Sequence, residues 1–169
     1  METGDIVGRR TENDSRMVQR KTWIGGDDFR LIHENMPIPC VDLLVMEGSR
    51  ILLCLRKYEP EAGEWYVPGG RLHKGEEIRE AAIRILREEV GMEAIYLRHL
   101  GWDTTYFDTD PFGHGKGTHT VNALFLMVLR GSKDPAECDQ HSDAKWMEKS
   151  AVEFSPDTPH RVRKIARMV

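Results

Sequence analysis

One strong helix-forming segment, residues 76–90, separates two groups of short apolar strands, and this arrangement limits the folds open to the chain. Apolar side chains recur along the segment at steps of three and four residues: Ile78, Ala81, Ala82, Ile85 and Leu86. Gly91 follows, and glycine commonly ends helices. Strands before and after one amphipathic helix, with another helix at the end of the chain, predict an α/β fold with a mixed β-sheet between helical layers.

Shorter patterns predict the remaining elements. Strands are predicted at 41–47, Arg50–Arg56, 65–67, 94–100, 104–108, 121–130 and 144–147. A short helix is predicted at 25–35, and an amphipathic helix from Thr158 onwards. We interpret residues 1–20 as a flexible N-terminal arm and residues 21–169 as a single domain. The glycine-rich segment 110–117 is predicted to be a mobile loop.

Composition excludes several classes of function. The 169 residues carry 24 Lys and Arg against 28 Asp and Glu, a net charge of −4, so no basic surface for nucleic acid is expected. The longest apolar runs are far shorter than the ~20 residues that cross a bilayer. The polar N-terminus does not resemble a signal peptide, and Met17 offers a second start. The widely spaced Cys40, Cys54 and Cys138 form no zinc or disulfide pattern, so we expect a cytoplasmic protein.

The segment 69–92, GGRLHKGEEIREAAIRILREEVGM, concentrates charged residues that could support chemistry. Arg84, Glu88 and Glu89 fall within about one and a half helical turns. A loop carbonyl at Gly69 and helix carboxylates together supply the hard oxygen ligands that Mg²⁺ prefers. The alternative interpretation is a solvated helix face on which Arg84 and Glu88 form an ion pair.

The spacing of this segment resembles the Nudix box, G-x5-E-x7-R-E-U-x-E-E-x-G-U, where U is a bulky apolar residue. Eight of the nine specified positions match over 23 residues, from Gly70 to Met92. The resemblance implies the Nudix fold, an α/β/α sandwich, and hydrolysis of a nucleoside diphosphate linked to another group. The ninth position holds Ile85, where the family usually has a glutamate that binds metal or activates water. The protein is therefore either inactive or uses fewer metal ions and another base.

Outside the box, the chain is similar to the GDP-mannose mannosyl hydrolase branch of the family, which also lacks this glutamate. The similarity runs from about Asp28 to Trp146. It includes the stretch GEWYVPGGR at 63–71 and the pattern Q-H-x-D-x-x-W at 140–146. Enzymes of that branch cleave at a sugar carbon rather than at phosphorus, and they use Mg²⁺.

The similarity implies roles for individual residues. Gly69, through its carbonyl, would hold Mg²⁺ together with Glu89 and Gln140, and His141 would be the base that deprotonates water. The other implied site residues are two diphosphate-binding arginines, an aspartate near the sugar and a catalytic arginine of the metal-site network: Arg56, Arg71, Asp42 and Arg84. Glu88, where that branch tends to have alanine, is added to the predicted metal ligands because it makes the site more acidic.

Three hypotheses about function follow. The first is a Mg²⁺-dependent hydrolase that splits a GDP-sugar into free sugar and GDP. The second is a nucleoside diphosphate-X pyrophosphohydrolase that cuts between phosphates, which Glu88 favours and Ile85 disfavours. The third is a non-catalytic module that binds a nucleotide-sugar. Thr120 falls where that branch has a tyrosine, so the sequence leaves open which sugar and which nucleobase the substrate carries. The resemblance also implies a homodimer.

Overall fold

The structure is a computed structural model that describes residues 5–6, 24–131 and 140–169. Its α-helices are α1 (Gly26–Asn35), α2 (Ile78–Ile85), α3 (Lys149–Phe154) and α4 (His160–Ala166). A π-helical turn, Leu86–Val90, continues α2. The strands are β1 (Asp5–Ile6), β2 (Ile38–Glu47), β3 (Arg50–Arg56), β4 (Trp65–Tyr66), β5 (Gly69–Arg71), β6 (Tyr96–Phe107), β7 (Thr118–Val128) and β8 (His141–Glu148). Apart from β1, the predicted arm lies outside the described residues, as do Met17 and Cys138.

The described strands form one sheet with the order β1-β6-β7-β2-β3-β4, in which β5 pairs with β2 and β8 pairs with β3. β2 and β7 run parallel, whereas the other pairs are antiparallel. The sheet is therefore mixed, as predicted. Because β2 pairs with β3 only at its C-terminal end, its N-terminal half can pair with β5. This pairing brings Gly69 beside Asp42.

Two buried apolar clusters lie on opposite faces of this sheet. Val41, Leu43 and Val45 of β2 belong to the cluster that includes α2, whereas Leu44 belongs to the cluster that includes α3 and α4. Successive residues of a strand point to opposite faces, so each cluster joins one face to its own helical layer. The predicted α/β/α sandwich is confirmed. No helix within the described ranges is long and apolar enough to cross a membrane.

Several boundaries differ from the sequence-based predictions. The two strands predicted at 94–100 and 104–108 are one strand, because Gly101, at φ 137°, produces a register shift rather than a break. Helix α3 was missed, since Val152 is its one buried residue and no apolar period is visible. The helix predicted at 76–90 begins at Ile78 and divides into α2 and the π-helical turn. The strand predicted at 41–47 begins earlier, at Ile38, whereas Arg50–Arg56 was predicted as found.

Candidate active site

Strand β5 brings the backbone of the loop glycines against two other parts of the site. Gly69 is paired with Asp42, and a Cβ atom at Gly69 would collide with Asp42 Oδ1 and lie 3.0 Å from the carbonyl oxygen of Val41. A Cβ at Gly70 would lie 3.2 Å from Glu89 Oε1 and 3.3 Å from Ile85 Cγ1. The loop therefore needs glycine here because of close approach rather than because of an unusual backbone angle.

Ile85 and Glu89 lie on the same side of the helical segment, one turn apart, and both face Gly70. Ile85 is fully buried in the cluster beneath α2. A glutamate at position 85 would place a second carboxylate beside Glu89. In this chain that space is filled by hydrocarbon, which can neither bind a cation nor accept a proton.

Glu89 connects the glycine loop to the histidine that begins β8. Its Oε2 atom lies 3.0 Å from His141 Nε2 and accepts a 3.4 Å hydrogen bond from the Gly69 amide. Both side chains are 13% exposed, so water screens this contact little. His141 Nδ1 is buried and has no hydrogen-bond partner in the described part of the chain.

Arg84 binds three separate groups. Its Nε and Nη2 atoms donate to the two carboxylate oxygens of Glu76 at 2.6 and 2.9 Å, and Nη2 also donates to the Arg71 carbonyl at 3.0 Å. A longer bond of 3.2 Å reaches Glu88, whose side chain is 51% exposed. Burial raises the pKa of Glu76, but the Arg84 hydrogen bonds and the His73 amide outweigh it, so the net pKa is lowered. The predicted partner, Glu88, is thus the weaker of two.

Asp42 lies inside the sheet as part of a chain of polar side chains. Its Oδ2 atom accepts a 2.8 Å hydrogen bond from Asn122 Nδ2, and Asn122 Oδ1 accepts a 2.7 Å bond from Thr120. All three are buried. Burial raises the pKa of Asp42 to about 7, against the lowering effect of the Asn122 bond and the nearby Arg56. Asn122 was missed in the sequence, although a polar residue within the apolar run of β7 was the signal for it.

Both predicted diphosphate-binding arginines lie against aromatic rings. The Arg56 guanidinium is 5.7 Å from the ring centres of Tyr66 and Phe107, and the Arg71 guanidinium is 4.1 Å from the ring centre of Phe29. Such contacts hold a guanidinium in place without using all its N–H donors. Arg56 Nε is buried, with no hydrogen-bond partner within the described ranges.

These groups surround an open cavity of about 420 Å³, within the range of ligand-binding sites. Among the predicted residues, its lining includes Asp42, Arg56, Gly69, Arg71 and Gln140. A recess of about 90 Å³ shares several of these residues and adds His141. Glu89 lies next to the recess through its contacts with His141 and Gly69, whereas Arg84 and Glu88 lie on neither lining.

The donor set fits a cation bound largely by neutral oxygens. Within the described ranges, no three His, Cys, Asp or Glu side chains are grouped so as to hold a metal ion by themselves. Mg²⁺ is commonly held by one or two carboxylates and keeps several waters. Glu89, beside Gly69 and the recess that Gln140 lines, fits that requirement. Glu88 is turned towards Arg84 and solvent.

Three comparisons place the chain among known proteins. The model of the NUDIX domain family matches residues 36–168. The low-salt glycan biosynthesis protein Agl8 of Haloferax volcanii is 34% identical over 128 residues, which are 75% of this chain and 81% of that protein. An ADP-ribose pyrophosphatase of Methanocaldococcus jannaschii is 36% identical over 97 residues, 57% of this chain and 54% of that protein.

Solved structures agree with this placement. A MutT NUDIX hydrolase from Burkholderia pseudomallei has a TM-score of 0.64 and 26% sequence identity, and the match covers 80% of this chain and 99% of that one. The family model, the Agl8 relative and this structural match rest on overlapping parts of the same domain. The chain belongs to the Nudix hydrolase family.

Proposed function

We propose that this Nudix protein is a cytoplasmic, Mg²⁺-dependent hydrolase that splits a GDP-sugar into free sugar and GDP by attack of water at the anomeric carbon. The observation that carries the proposal is the pairing of His141 with Glu89 at a site where Ile85 supplies no second carboxylate. Attack at phosphorus commonly uses a glutamate at position 85 as metal ligand or base, and Ile85 can serve as neither. Attack at carbon requires only a base near the sugar and a stabilised leaving group.

Gly69, Glu89 and Gln140 are the residues that would hold Mg²⁺. When bound, the ion supplies positive charge to the departing diphosphate. Arg56 and Arg71 contribute two further positive charges on the lining of the same cavity, and their guanidinium groups suit phosphate oxygens geometrically. Displacement of a diphosphate from an anomeric carbon depends on this stabilisation, because the negative charge develops on the leaving group.

His141 is the proposed base. The tautomer that donates Nε2–H to Glu89 leaves Nδ1 unprotonated, and Nδ1 is the nitrogen without another partner in the described part of the chain. Because Nδ1 is enclosed in this structure, water must reach it through movement of the residues that line the recess. Proton transfer from that water to Nδ1 would create an imidazolium, which the Glu89 carboxylate at 3.0 Å stabilises. Asp42, on the lining of both the cavity and the recess, is the group proposed to contact the sugar.

The alternative is a pyrophosphohydrolase that cleaves between the phosphates. It is favoured by the relative described as an ADP-ribose pyrophosphatase and by the retention of Glu88. The ion pair of Glu88 with Arg84 and its half-exposed position argue against Glu88 as the base. A non-catalytic binding module is disfavoured because the Glu89–His141 pair is intact.

The test is to incubate the protein with GDP-mannose and Mg²⁺ in ¹⁸O-labelled water and to identify the products by mass. We expect label in free mannose and unlabelled GDP. Label in GMP or mannose 1-phosphate would overturn attack at carbon and support the pyrophosphohydrolase. Absence of turnover across a panel of nucleotide-sugars, with binding retained, would support the binding module.

The role of His141 is tested separately. Loss of a general base typically costs about 10²–10⁴-fold in rate, so His141→Ala should lower kcat by that factor. His160→Ala, which changes an exposed histidine at the start of α4, is the matched control and should leave kcat unchanged. Full activity of His141→Ala would contradict the proposed base. The resemblance also implies a homodimer. Light scattering of the protein as it elutes from a size-exclusion column measures its molar mass and tests this proposal.

A further inference from the structure

An aromatic corner, defined as Phe29, His33 and Phe112, lines the open cavity of about 420 Å³ but not the recess that His141 lines. Phe29 and Phe112 make an edge-to-face contact with ring centres 5.5 Å apart, and His33 meets Phe112 in the same way at 5.3 Å. Arg71 covers Phe29, so a diphosphate-binding group adjoins the corner. The corner therefore lies beside the diphosphate position and apart from the proposed reacting end.

A chain of hydrogen bonds sets the protonation of His33. The Lys116 amide donates to His114 Nδ1 at 3.1 Å, so that nitrogen carries no proton. The proton of neutral His114 is then on Nε2, which lies 2.8 Å from His33 Nδ1 and donates to it. Neutral His33 must consequently carry its own proton on Nε2.

Neighbouring groups support this assignment. Asp110 Oδ2 is 3.4 Å from His114 Nδ1, but the Asp110 carboxylate accepts the amide N–H groups of Phe112, His114 and Gly115. Burial and the adjacent His114 lower the pKa of His33, which favours its neutral form. The His114 side chain is 2% exposed, so the chain of bonds is shielded from water.

His33 thus offers one N–H donor, at Nε2, from a ring on the cavity lining. This atom has no hydrogen-bond partner among the residues described. Aromatic surroundings favour a flat, stacking ligand group over a hydrated one. Guanine and hypoxanthine have acceptors at both O6 and N7, whereas adenine has a donor, its N6 amino group, in place of O6.

We propose that the aromatic corner binds the nucleobase of the substrate and that His33 selects a 6-oxopurine over adenine by donating its Nε2–H to the acceptor edge of the base. The inference rests on the proposed function, since it assigns the nucleoside end of the same cavity. His114 acts as a positioning residue, because it determines which nitrogen of His33 carries the proton. The substrate class is accordingly a guanine or hypoxanthine nucleoside diphosphate joined to a sugar.

The test measures dissociation constants of GDP, IDP and ADP by calorimetry with Mg²⁺, for the wild-type chain and three variants. We expect the wild type to bind GDP and IDP within about threefold of each other and ADP about tenfold more weakly, the effect of about one hydrogen bond. His33→Phe should reduce the preference for GDP over ADP to less than about threefold. His119→Phe, which changes a histidine stacked on Tyr106 and outside the cavity lining, should keep it.

His114→Phe distinguishes selection from simple packing. It leaves His33 in place but removes the donor to Nδ1, so His33 can adopt the other tautomer and accept from the adenine amino group. The preference should again fall below about threefold, while the affinity for ADP is kept or improved. An equal loss of affinity for all three nucleotides in both variants would mean a structural role and would overturn the inference.

The inference and the proposed function fail in different ways. A tenfold preference that survives in His33→Phe and His114→Phe overturns the selection by His33, whatever the products of hydrolysis. A preference that disappears in both variants supports the inference, even where the labelled-water experiment shows attack at phosphorus. Failure of the wild type to bind any of the three nucleotides overturns both.

Discussion

Arg84 joins three parts of the molecule through one guanidinium group. It contacts Glu76 before α2, Glu88 in the π-helical turn and the carbonyl of Arg71 at the end of β5. Lysine cannot span these groups, because its ammonium is a single point of charge. We therefore expect Arg84 to hold the glycine loop against the helix. Its catalytic role, which the resemblance implies, stays a prediction.

Removal of this guanidinium should destabilise the fold in a pH-dependent way. Arg84→Met leaves Glu76, which is 13% exposed, without the Arg84 ion pair and should lower the free energy of unfolding by about 1–3 kcal/mol at pH 7. Because the folded-state pKa of Glu76 is lowered, its contribution is present above the unfolded value of 4.5 and is lost as the pH falls through the folded value. Urea unfolding at pH 7 and pH 3 measures both effects.

The control for this experiment is Arg87→Met. Arg87 is 64% exposed and pairs with Glu93 at 3.5 Å, so its loss should change stability by less than about 0.5 kcal/mol. A difference between wild type and Arg84→Met that is the same at both pH values would contradict the assigned Glu76 pairing.

We expect the Asp42 carboxylate to lower the stability of the fold at high pH, although the proposed function needs it. Its folded pKa of about 7 lies above the ordinary value of 3.8, so the native state holds a proton that the unfolded chain has lost. Stability consequently falls as the pH rises from about 4 to about 7. Asp42→Asn removes this penalty and should raise the free energy of unfolding by ~1–3 kcal/mol at pH 8 in EDTA, with no gain at pH 4.

The same substitution should reduce turnover, because the proposed contact with the sugar loses its charge. Asp143→Asn, at an exposed position on β8, is the control and should show no pH-dependent gain. Lower stability of Asp42→Asn at pH 8 would show that its carboxylate is better satisfied than its burial implies.

At the scale of single elements, the helical segment determines what the site lacks. α2 buries Ile85 in the sheet-facing cluster, and the π-helical turn that follows directs Glu89 towards Gly70 and Glu88 towards solvent. Position 85 is therefore both a core position and a neighbour of the site. A change there alters packing and chemistry together.

Reintroducing the usual family residue tests this dual position. Ile85→Glu buries a carboxylate beside Glu89 and should lower the free energy of unfolding by about 3 kcal/mol or more in EDTA at pH 8. Ile85→Val removes one methylene and should cost about 0.5–1.5 kcal/mol. Equal stabilities of the two variants in urea would show that water reaches position 85.

Element boundaries were predictable where the apolar pattern was strong. β3 was predicted as found, because both of its faces are buried and this gives a continuous apolar run between turn residues. The continuity of β6 could not be predicted, since a glycine such as Gly101 is typical of a strand end. It lies in a bulge here because β7 pairs with β6 on both sides of it. Partners along the sheet, rather than local preference, decide such cases.

At the scale of the whole molecule, binding of Mg²⁺ should appear as added stability. A ligand at a hundredfold excess over its dissociation constant stabilises the native state by about 2.7 kcal/mol. We expect Mg²⁺ to raise the melting temperature of the wild type and EDTA to reverse the rise. Glu89→Gln should abolish the effect, whereas Glu88→Gln should keep most of it, because Glu88 is engaged with Arg84. An equal loss in both variants would restore Glu88 as a ligand.

The site divides into a part that sequence could predict and a part that it could not. The segment 69–92 places Gly69, Arg84 and Glu89 within a short span, so their proximity follows from helix and loop geometry. The contacts of Asn122 with Asp42 and of His114 with His33 join residues 80 and 81 positions apart. No local pattern encodes such pairs, because they depend on which strands become neighbours.

The parallel pairing of β2 with β7 also determines when, during folding, the cavity can form. Asp42 and Asn122 lie on these two strands, so the floor of the cavity does not exist until residues far apart in the chain have met. Closing so long a loop is among the slower steps of folding, and translation adds only about 5–20 residues per second. A nascent chain halted before β7 would carry the complete Nudix box and still have no place to put its substrate.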